Sequence, residues 1–515
     1  MGRTLGVNHP FSMPLSHRTH RKALLLTLAT TAVAATLTTP AQAAPASRPA
    51  APALAWKPCE SPAGATECAT LSVPMDYRDP GGRRVDLAVS RLRGADSPAR
   101  RGTLLVIPGG PGGSGVARLA AKGAELRKQT GGAYDIVAFD PRGVGGSTPA
   151  DCGVSGDDRE LTHLRPWPGP DGDITANVAR ARRVAAACEA GGGAMVRNIS
   201  TANEVRDIES LRRALGERKL SAWGTSYGAY VGATYAQKYP HRTDRWVLDS
   251  SGDPDPERVA RGWSANMSVG ADDRFPDFAA WAADPARDRA HRLSERPEDV
   301  RPMFLALAAE LDAAPRKFTD AAHFPLTGNR LRQALQQTLY SKNAFEPLAE
   351  LILAARDTTG PLTVRDVLPG GPLSQRETAV MVGTLCNDVS WPHDIRAYAR
   401  AVTADRARHP LTAGMPVGVM PCAFWKTAPT DKPVRLTPHS PSNILMIQNL
   451  RDPATPHHGA LKMREAFGDR ARLVTVDSGG HGAYLANGNT CGDRTVTDFL
   501  TTGRRPAGDV VCPKE

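Results

Sequence analysis

Several features are missing from the 515-residue chain, and each absence excludes something. Beyond residue 43 no apolar run competes as a membrane span, which takes about 20 residues. No pair among its eight cysteines has C-x-x-C spacing, so the usual zinc and redox sites are not expected and no metal is assigned. No G-x-x-x-x-G-K-[ST] occurs, which rules out a phosphate-cradling P-loop. Basic residues neither run together nor interleave with aromatic platforms. The net charge of +11 includes Arg3, Arg18, Arg21 and Lys22 in an acid-free first 43 residues, and the +7 that remains without them is dispersed. No nucleic-acid partner is therefore expected. Past residue 52 there is no internal repeat or low-complexity tract. With 41% hydrophobic and 23% charged residues, the composition is that of a soluble globular chain long enough for more than one lobe.

What is present begins at the N-terminus. His17 to Lys22 is basic, Ala23 to Leu37 is apolar, and Ala41-Gln42-Ala43 has the small-residue pattern of a cleavage site. Residues 1–43 thus read as a signal peptide cut after Ala43, and the Ala/Pro-rich 44–52 as a flexible leader. The expected product is secreted and monomeric, with no membrane association once the signal is gone. Cys59, Cys68, Cys152, Cys188, Cys386, Cys422, Cys491 and Cys512 make an even count, so disulfides are the default in an exported chain. Spacing alone leaves their connectivity open. The expectation adopted is sequential: Cys59–Cys68, Cys152–Cys188, Cys386–Cys422 and Cys491–Cys512.

The stretch with the most chemical content is Gly224-Thr225-Ser226-Tyr227-Gly228, between an apolar Leu220 to Trp223 and a small-residue run, Ala229 to Ala233. This reads as strand, sharp turn and helix. A G-x-S-x-G there is a nucleophile elbow, with the serine hydroxyl pushed clear of the sheet. In a chain with 48 glycines the motif also arises by chance; the strand-to-helix context separates the two cases. Upstream, Thr103 to Ile107 is a continuous apolar run, as in buried parallel strands, and it ends in the glycine-rich Pro108 to Gly115. Gly110 to Gly115 formally matches G-x-G-x-x-G. A dinucleotide site is disfavoured because Pro111 removes a backbone donor where a pyrophosphate would lie, and an exported enzyme rarely meets NAD. An oxyanion hole is the better reading, and no cofactor is expected.

Val85 to Leu92 alternates apolar and polar residues and suits an antiparallel edge strand. Tyr134 to Phe139 is another strand, closed by the turn Asp140 to Ser147, in which Asp140 and Arg142 are expected to brace the loop. Thr201-Ala202-Asn203-Glu204 reads as a capping box ahead of a helix with Val205, Ile208, Leu211 and Leu215 on one face. Trp246 to Leu248 follows as a strand. From about Pro254 to Val434 helical patterns dominate, such as Met303 to Leu311, Leu331 to Tyr340 and Leu348 to Ala355. Strand-like sequence resumes at Ile444 to Ile447 and Arg472 to Val476. The expected architecture is α/β: an α/β-hydrolase fold with a mostly parallel sheet flanked by helices. Its core falls in two parts, 53–253 and 436–515, with a mainly helical cap inserted at 254–435.

The partners of a serine nucleophile are expected beyond strand ends. After Ile447 comes Asp452, and after Val476 comes His481 in Gly479-Gly480-His481-Gly482. The order Ser226, Asp452, His481 is that of α/β-hydrolases. Asp249, also at a strand end, is the rival acid. His457 and His458 lie too near Asp452 to serve as its base. In this reading His481 takes the Ser226 proton, Asp452 holds the imidazole, and the Tyr227 N–H binds the oxyanion.

Taken together, Pro108 to Gly115, Asp140 to Ser147, the elbow, Asp452-Pro453-Ala454-Thr455-Pro456 and Gly479 to Gly482 resemble the secreted tripeptidyl aminopeptidases of actinomycetes, relatives of prolyl iminopeptidases. The resemblance runs from about Trp56 to the C-terminus and includes Cys386-Asn387-Asp388 and Pro421-Cys422. It implies a serine exopeptidase acting on peptides with free N-termini, with Gly110 as the second oxyanion donor. The chain departs from prolyl iminopeptidases at Pro108, where those have histidine, which weakens any inference of proline specificity. The family also holds members described as carboxylesterases, so hydrolysis of short acyl esters is the alternative activity, and a catalytically silent binding protein is the third. An ammonium-reading site needs a carboxylate. Asp388, beside Cys386 and with Trp391 as an apolar wall, is the candidate; its bland alternative is a surface aspartate or helix cap.

Overall fold

A computed structural model describes residues 53–59, 66–95, 100–257, 259–320, 324–363, 367–368 and 371–515. The expected signal peptide and leader lie outside the described residues.

Apolar runs without polar alternation need cover on both sides, and here they form the middle of a ten-stranded sheet. The strands are β1 (Lys57–Pro58), β2 (Thr66–Pro74), β3 (Arg84–Leu92), β4 (Thr103–Ile107), β5 (Asp135–Phe139), β6 (Leu220–Thr225), β7 (Thr243–Asp249), β8 (Ile444–Arg451), β9 (Ala471–Gly479) and β10 (Val510–Cys512). Their spatial order is β1-β2-β3-β5-β4-β6-β7-β8-β9-β10. Every pairing from β5 to β10 is parallel, while β1, β2 and β3 extend the sheet antiparallel. Side chains alternate between two cores with the strand period of two. Leu105, Ile107, Val137 and Phe139 enter one core, and Leu104, Val106, Ile136 and Ala138 the other. This mostly parallel sheet with helices on its faces is an α/β-hydrolase fold.

Two local expectations need correction. Val85 to Leu92 is not an edge: β2 pairs with it along its whole length and β5 lies on its other side. Its alternation records one solvated face, not an outer position. The helix expected to start from Thr201 is capped one residue earlier, where the Ser200 hydroxyl accepts from the Asn203 N–H at 3.3 Å. Glu204 does not reach back to a cap. It is buried and accepts from the Tyr227 hydroxyl at 3.2 Å, and burial pushes its carboxyl up to about 8.

Between β7 and β8 the regular elements among the described residues are all helices, joined by loops and one isolated bridge, Arg316 to Leu326. Phe278, Phe304, Leu331, Leu335, Leu348 and Ile352 belong to a separate hydrophobic core inside this segment. The later part behaves differently: Ala379, Val380, Trp391 and Trp425 join the core that covers the sheet. The segment is therefore partly self-supporting and partly fused to the sheet.

The eight cysteines are joined as Cys59–Cys68, Cys152–Cys188, Cys386–Cys422 and Cys491–Cys512. Cys386–Cys422 ties the end of the helix Gln375–Asp388 to the turn Pro421–Phe424. Closing a loop across a separation of 36 residues stabilises the fold by about 4 kcal/mol in the chain-entropy account.

Candidate active site

The turn after β6 is too tight for side chains on either flank of the serine. A Cβ at Gly224 would lie 2.3 Å from the Gly228 carbonyl oxygen, and one at Gly228 would lie 2.4 Å from that of Ile107. Ser226 itself takes φ 61° and ψ −126°, a conformation that L side chains adopt at a cost of about 1–3 kcal/mol. Its N–H donates to the Asp249 carbonyl at 2.9 Å, which fixes the turn to the next strand. Tyr227 opens the helix Tyr227–Lys238, so its N–H has no acceptor within the helix and sits at the positive end of the helix dipole.

The glycine-rich loop after β4 lies against this turn. Gly110 adopts φ 123°, and its N–H donates to no group among the described residues. Asp140 anchors the loop from the far side. One of its oxygens accepts from the Ser114 hydroxyl at 2.6 Å and the Val116 N–H at 3.1 Å; the other accepts from the Gly146 N–H at 2.9 Å. Arg142 donates twice to Asp207, at 2.7 and 2.8 Å, and again to the Pro74 carbonyl at 2.8 Å. Both residues are buried in the scaffold, and neither lines the cavity described below.

Past the end of β8, Asp452 is held by its own loop. One carboxylate oxygen accepts from the Ala454 and Thr455 N–H groups, each at 2.9 Å, and the other from the Thr455 hydroxyl at 3.1 Å. The His481 Nδ1 lies 2.9 and 3.0 Å from the two oxygens. The loop carrying His481 is bound on three sides. The His481 N–H donates to the Tyr340 carbonyl at 2.9 Å, the Gly482 N–H to the Ser250 hydroxyl at 2.9 Å, and the Ala483 N–H to Asp249 at 2.8 Å. The Tyr340 ring meets the imidazole edge-on at 5.0 Å.

Asp249 is thus near the site without pairing with the imidazole. It receives the Ala483 and Tyr484 N–H groups, the Trp223 indole N–H at 3.2 Å and the Ser250 hydroxyl at 3.2 Å. Of the two acids considered from sequence, only Asp452 contacts His481.

Burial by itself would push the His481 imidazole down. The Asp452 carboxylate outweighs it, with Asp249 adding in the same direction, and the net pKa is raised above the ordinary 6.5. A general base must be neutral, so protonation removes activity as pH falls through this raised value. The acid limb of kcat/KM, measured on an uncharged ester, is expected above pH 6.5, and in Asp452→Asn it is expected to move down. A wild-type limb at or below that pH would mean that the Asp452 carboxylate does not govern His481.

Ser226, His481 and Gly110 line one cavity of about 610 Å³. Its far wall comes from the helical segment, with Trp263, Met267, Tyr340, Met381 and Leu385. None of these was singled out from sequence as a site residue, because each belongs to an apolar helical pattern indistinguishable from core.

Asp388 is not brought to this cavity. It is half-buried at the end of the helix Gln375–Asp388 and accepts from both the N–H of Thr201, at 2.8 Å, and its hydroxyl. It caps the helix Thr201–Ala214 and borders a separate space of about 40 Å³. Burial pushes its carboxyl up to about 6. The Trp391 indole donates to the Leu385 carbonyl at 2.9 Å and packs in the core, so it forms no wall of the catalytic cavity. One group with metal-ligand spacing exists among the described residues: His291, Glu346 and Glu350, whose ligand atoms lie within 4.8 Å of one another. None of the three lines the cavity.

A strained serine at the elbow of a parallel sheet, with a His–Asp pair beyond later strands, defines a serine hydrolase of the α/β-hydrolase class. The chain is 32% identical over 459 residues to the tripeptidyl aminopeptidase of Streptomyces lividans, covering 87% of this chain and 83% of that protein. It therefore belongs to the tripeptidyl aminopeptidase family. The model of a family described as TAP-like protein matches residues 410–512. Serine protease Hip1 of Mycobacterium tuberculosis is 27% identical, covering 89% of this chain and 90% of that one. A Mycobacterium tuberculosis protein named carboxylesterase B is 30% identical, with 86% of each chain covered.

Proposed function

We propose that the protein is an exported serine exopeptidase that releases short peptides from free N-termini through Ser226, His481 and Asp452. The observation that carries this reading is the Asp452–His481 pair, whose imidazole lines the same cavity as Ser226. In the proposed mechanism His481 Nε2 takes the Ser226 proton as the oxygen attacks the scissile carbonyl. Asp452 fixes the proton on Nδ1 and stabilises the imidazolium, and His481 then protonates the leaving amine. The N–H groups of Tyr227 and Gly110 bind the tetrahedral oxyanion, and water hydrolyses the acyl-enzyme. The helical segment, taken as a cap over 254–435, would exclude the middle of a folded chain and admit an end. Export is supported by four disulfides and by the signal-like 1–43.

Mass spectrometry of products from a defined peptide library, with free and acetylated N-termini, tests the proposal. Short N-terminal fragments from the free peptides alone are expected. Cleavage inside acetylated peptides would make the enzyme an endopeptidase. A second reading, a carboxylesterase on short acyl esters, is favoured by one observation: among the described residues no aspartate or glutamate lines the cavity to receive an ammonium. Ester turnover with no cleavage of any peptide would establish it.

A further inference from the structure

Among the described residues, the charged side chains lining the catalytic cavity are all cationic: Arg118, Lys122 and Arg165, with no carboxylate. None of the three forms an ion pair among the described residues, and two acids a few residues before Arg165 are already engaged elsewhere. Glu160 is paired with Arg330 and Asp158 with Arg183. Two of the three cations are largely committed to the scaffold. Arg118 donates to the Thr225 hydroxyl at 2.9 Å and lies 4.6 Å from the Trp223 ring centre, and Lys122 donates to the Leu485 carbonyl at 2.7 Å.

Arg165 is different. It follows the short helix Leu161–Leu164 and reaches the wall built by Met267, Gln337 and Tyr340. Its Nη1 donates to Gln336 at 3.1 Å and touches the Met267 sulfur at 3.6 Å, and the guanidinium also meets the Tyr340 hydroxyl, but no carboxylate among the described residues pairs with it. A guanidinium half-buried among apolar side chains, with donors to spare and no carboxylate, gains most from an anion supplied by the ligand. Arg118 and Lys122 give the whole cavity a field of the same sign.

We propose that the cavity selects substrates carrying a carboxylate near the scissile bond and that Arg165 is the residue that reads it. This rests on the catalytic site proposed above and narrows its substrates to anionic ones. The carboxylate can come from an acidic side chain or from the C-terminus of a short peptide.

The test compares matched peptides with Glu, Gln or Lys scanned through three positions on each side of the cleaved bond, each with a free or an amidated C-terminus. At one position or more, kcat/KM for Glu is expected to exceed that for Gln by on the order of tenfold, mainly through KM, with Lys below both. If Glu and Gln are cut equally but amidation lowers kcat/KM, the carboxylate read is the C-terminal one, and the free:amide ratio is then the one expected to fall in Arg165→Gln. In Arg165→Gln the Glu:Gln ratio is expected to fall to near one. The ratio is internal, so a general loss of active enzyme cancels. Equal rates for Glu and Gln at every position, together with no effect of amidation, would overturn the proposal, and so would a ratio that survives in Arg165→Gln. If no peptide is cleaved, p-nitrophenyl hemisuccinate against p-nitrophenyl butyrate asks the same question of an esterase. A hemisuccinate preference lost in Arg165→Gln would uphold the charge reading while the peptidase reading fails; no preference would sink both.

Discussion

Ser226→Ala is expected to lower kcat by a factor on the order of 10⁶ while leaving the unfolding temperature within a few degrees of wild type. The loss is large because the covalent route ends: no other nucleophile stands at the apex of the elbow. The fold survives because alanine meets the same positive φ as serine and the Ser226 side chain makes no hydrogen bond among the described residues. The N–H to Asp249 contact is backbone and persists. Turnover on a chromogenic ester or peptide, with circular dichroism as the folding control, checks both halves. Retention of a tenth of the activity would remove Ser226 from the mechanism.

Asp452→Asn is expected to cost about 10⁴ in kcat, and Asp249→Asn far less. The reason lies in the donors around each group. The asparagine oxygen at 452 would keep the Ala454 and Thr455 N–H groups, which leaves its NH₂ facing His481 Nδ1. That arrangement puts the imidazole proton on Nε2, where it cannot accept one from Ser226. At 249 an NH₂ would instead confront the Ala483 or Tyr484 N–H, and the damage should appear as stability, about 1–3 kcal/mol for the unmet hydrogen bond. Active-site titration beside thermal melts separates the two effects. The reverse ranking in kcat would move the acid to the end of β7.

Local chemistry was readable where one short stretch dictates its own geometry. Gly224 and Gly228 announce a turn with no room for side chains, and the apolar run before them announces a buried strand. Asp452 and His481 were readable because a parallel sheet presents its strand ends on one side. Asp452 was preferred to Asp249 from sequence although both stand at strand ends; the contact itself is set by which loop closes on the imidazole. The role given to Asp388 did not carry over because proximity to Cys386 says nothing about which helix end a carboxylate meets. In the fold it meets Thr201, from a helix nearly two hundred residues earlier. Arg165 and Tyr340 had no local signal, since their importance comes from segments brought together only in three dimensions. The edge assignment of Val85 to Leu92 failed for a related reason: alternation reports a wet face and not the number of neighbours.

The sheet order has a consequence for biosynthesis. β6 and β7 are neighbours in both sequence and space, but β8 and β9, which precede Asp452 and His481, join them only after the long helical segment has been made. Chains fold from the N-terminus as they emerge. On the proposed triad, a chain stopped anywhere between β7 and β8 therefore carries Ser226 but lacks both Asp452 and His481. In that reading hydrolytic capacity comes on late, once the segments carrying Asp452 and His481 have been added beside β7.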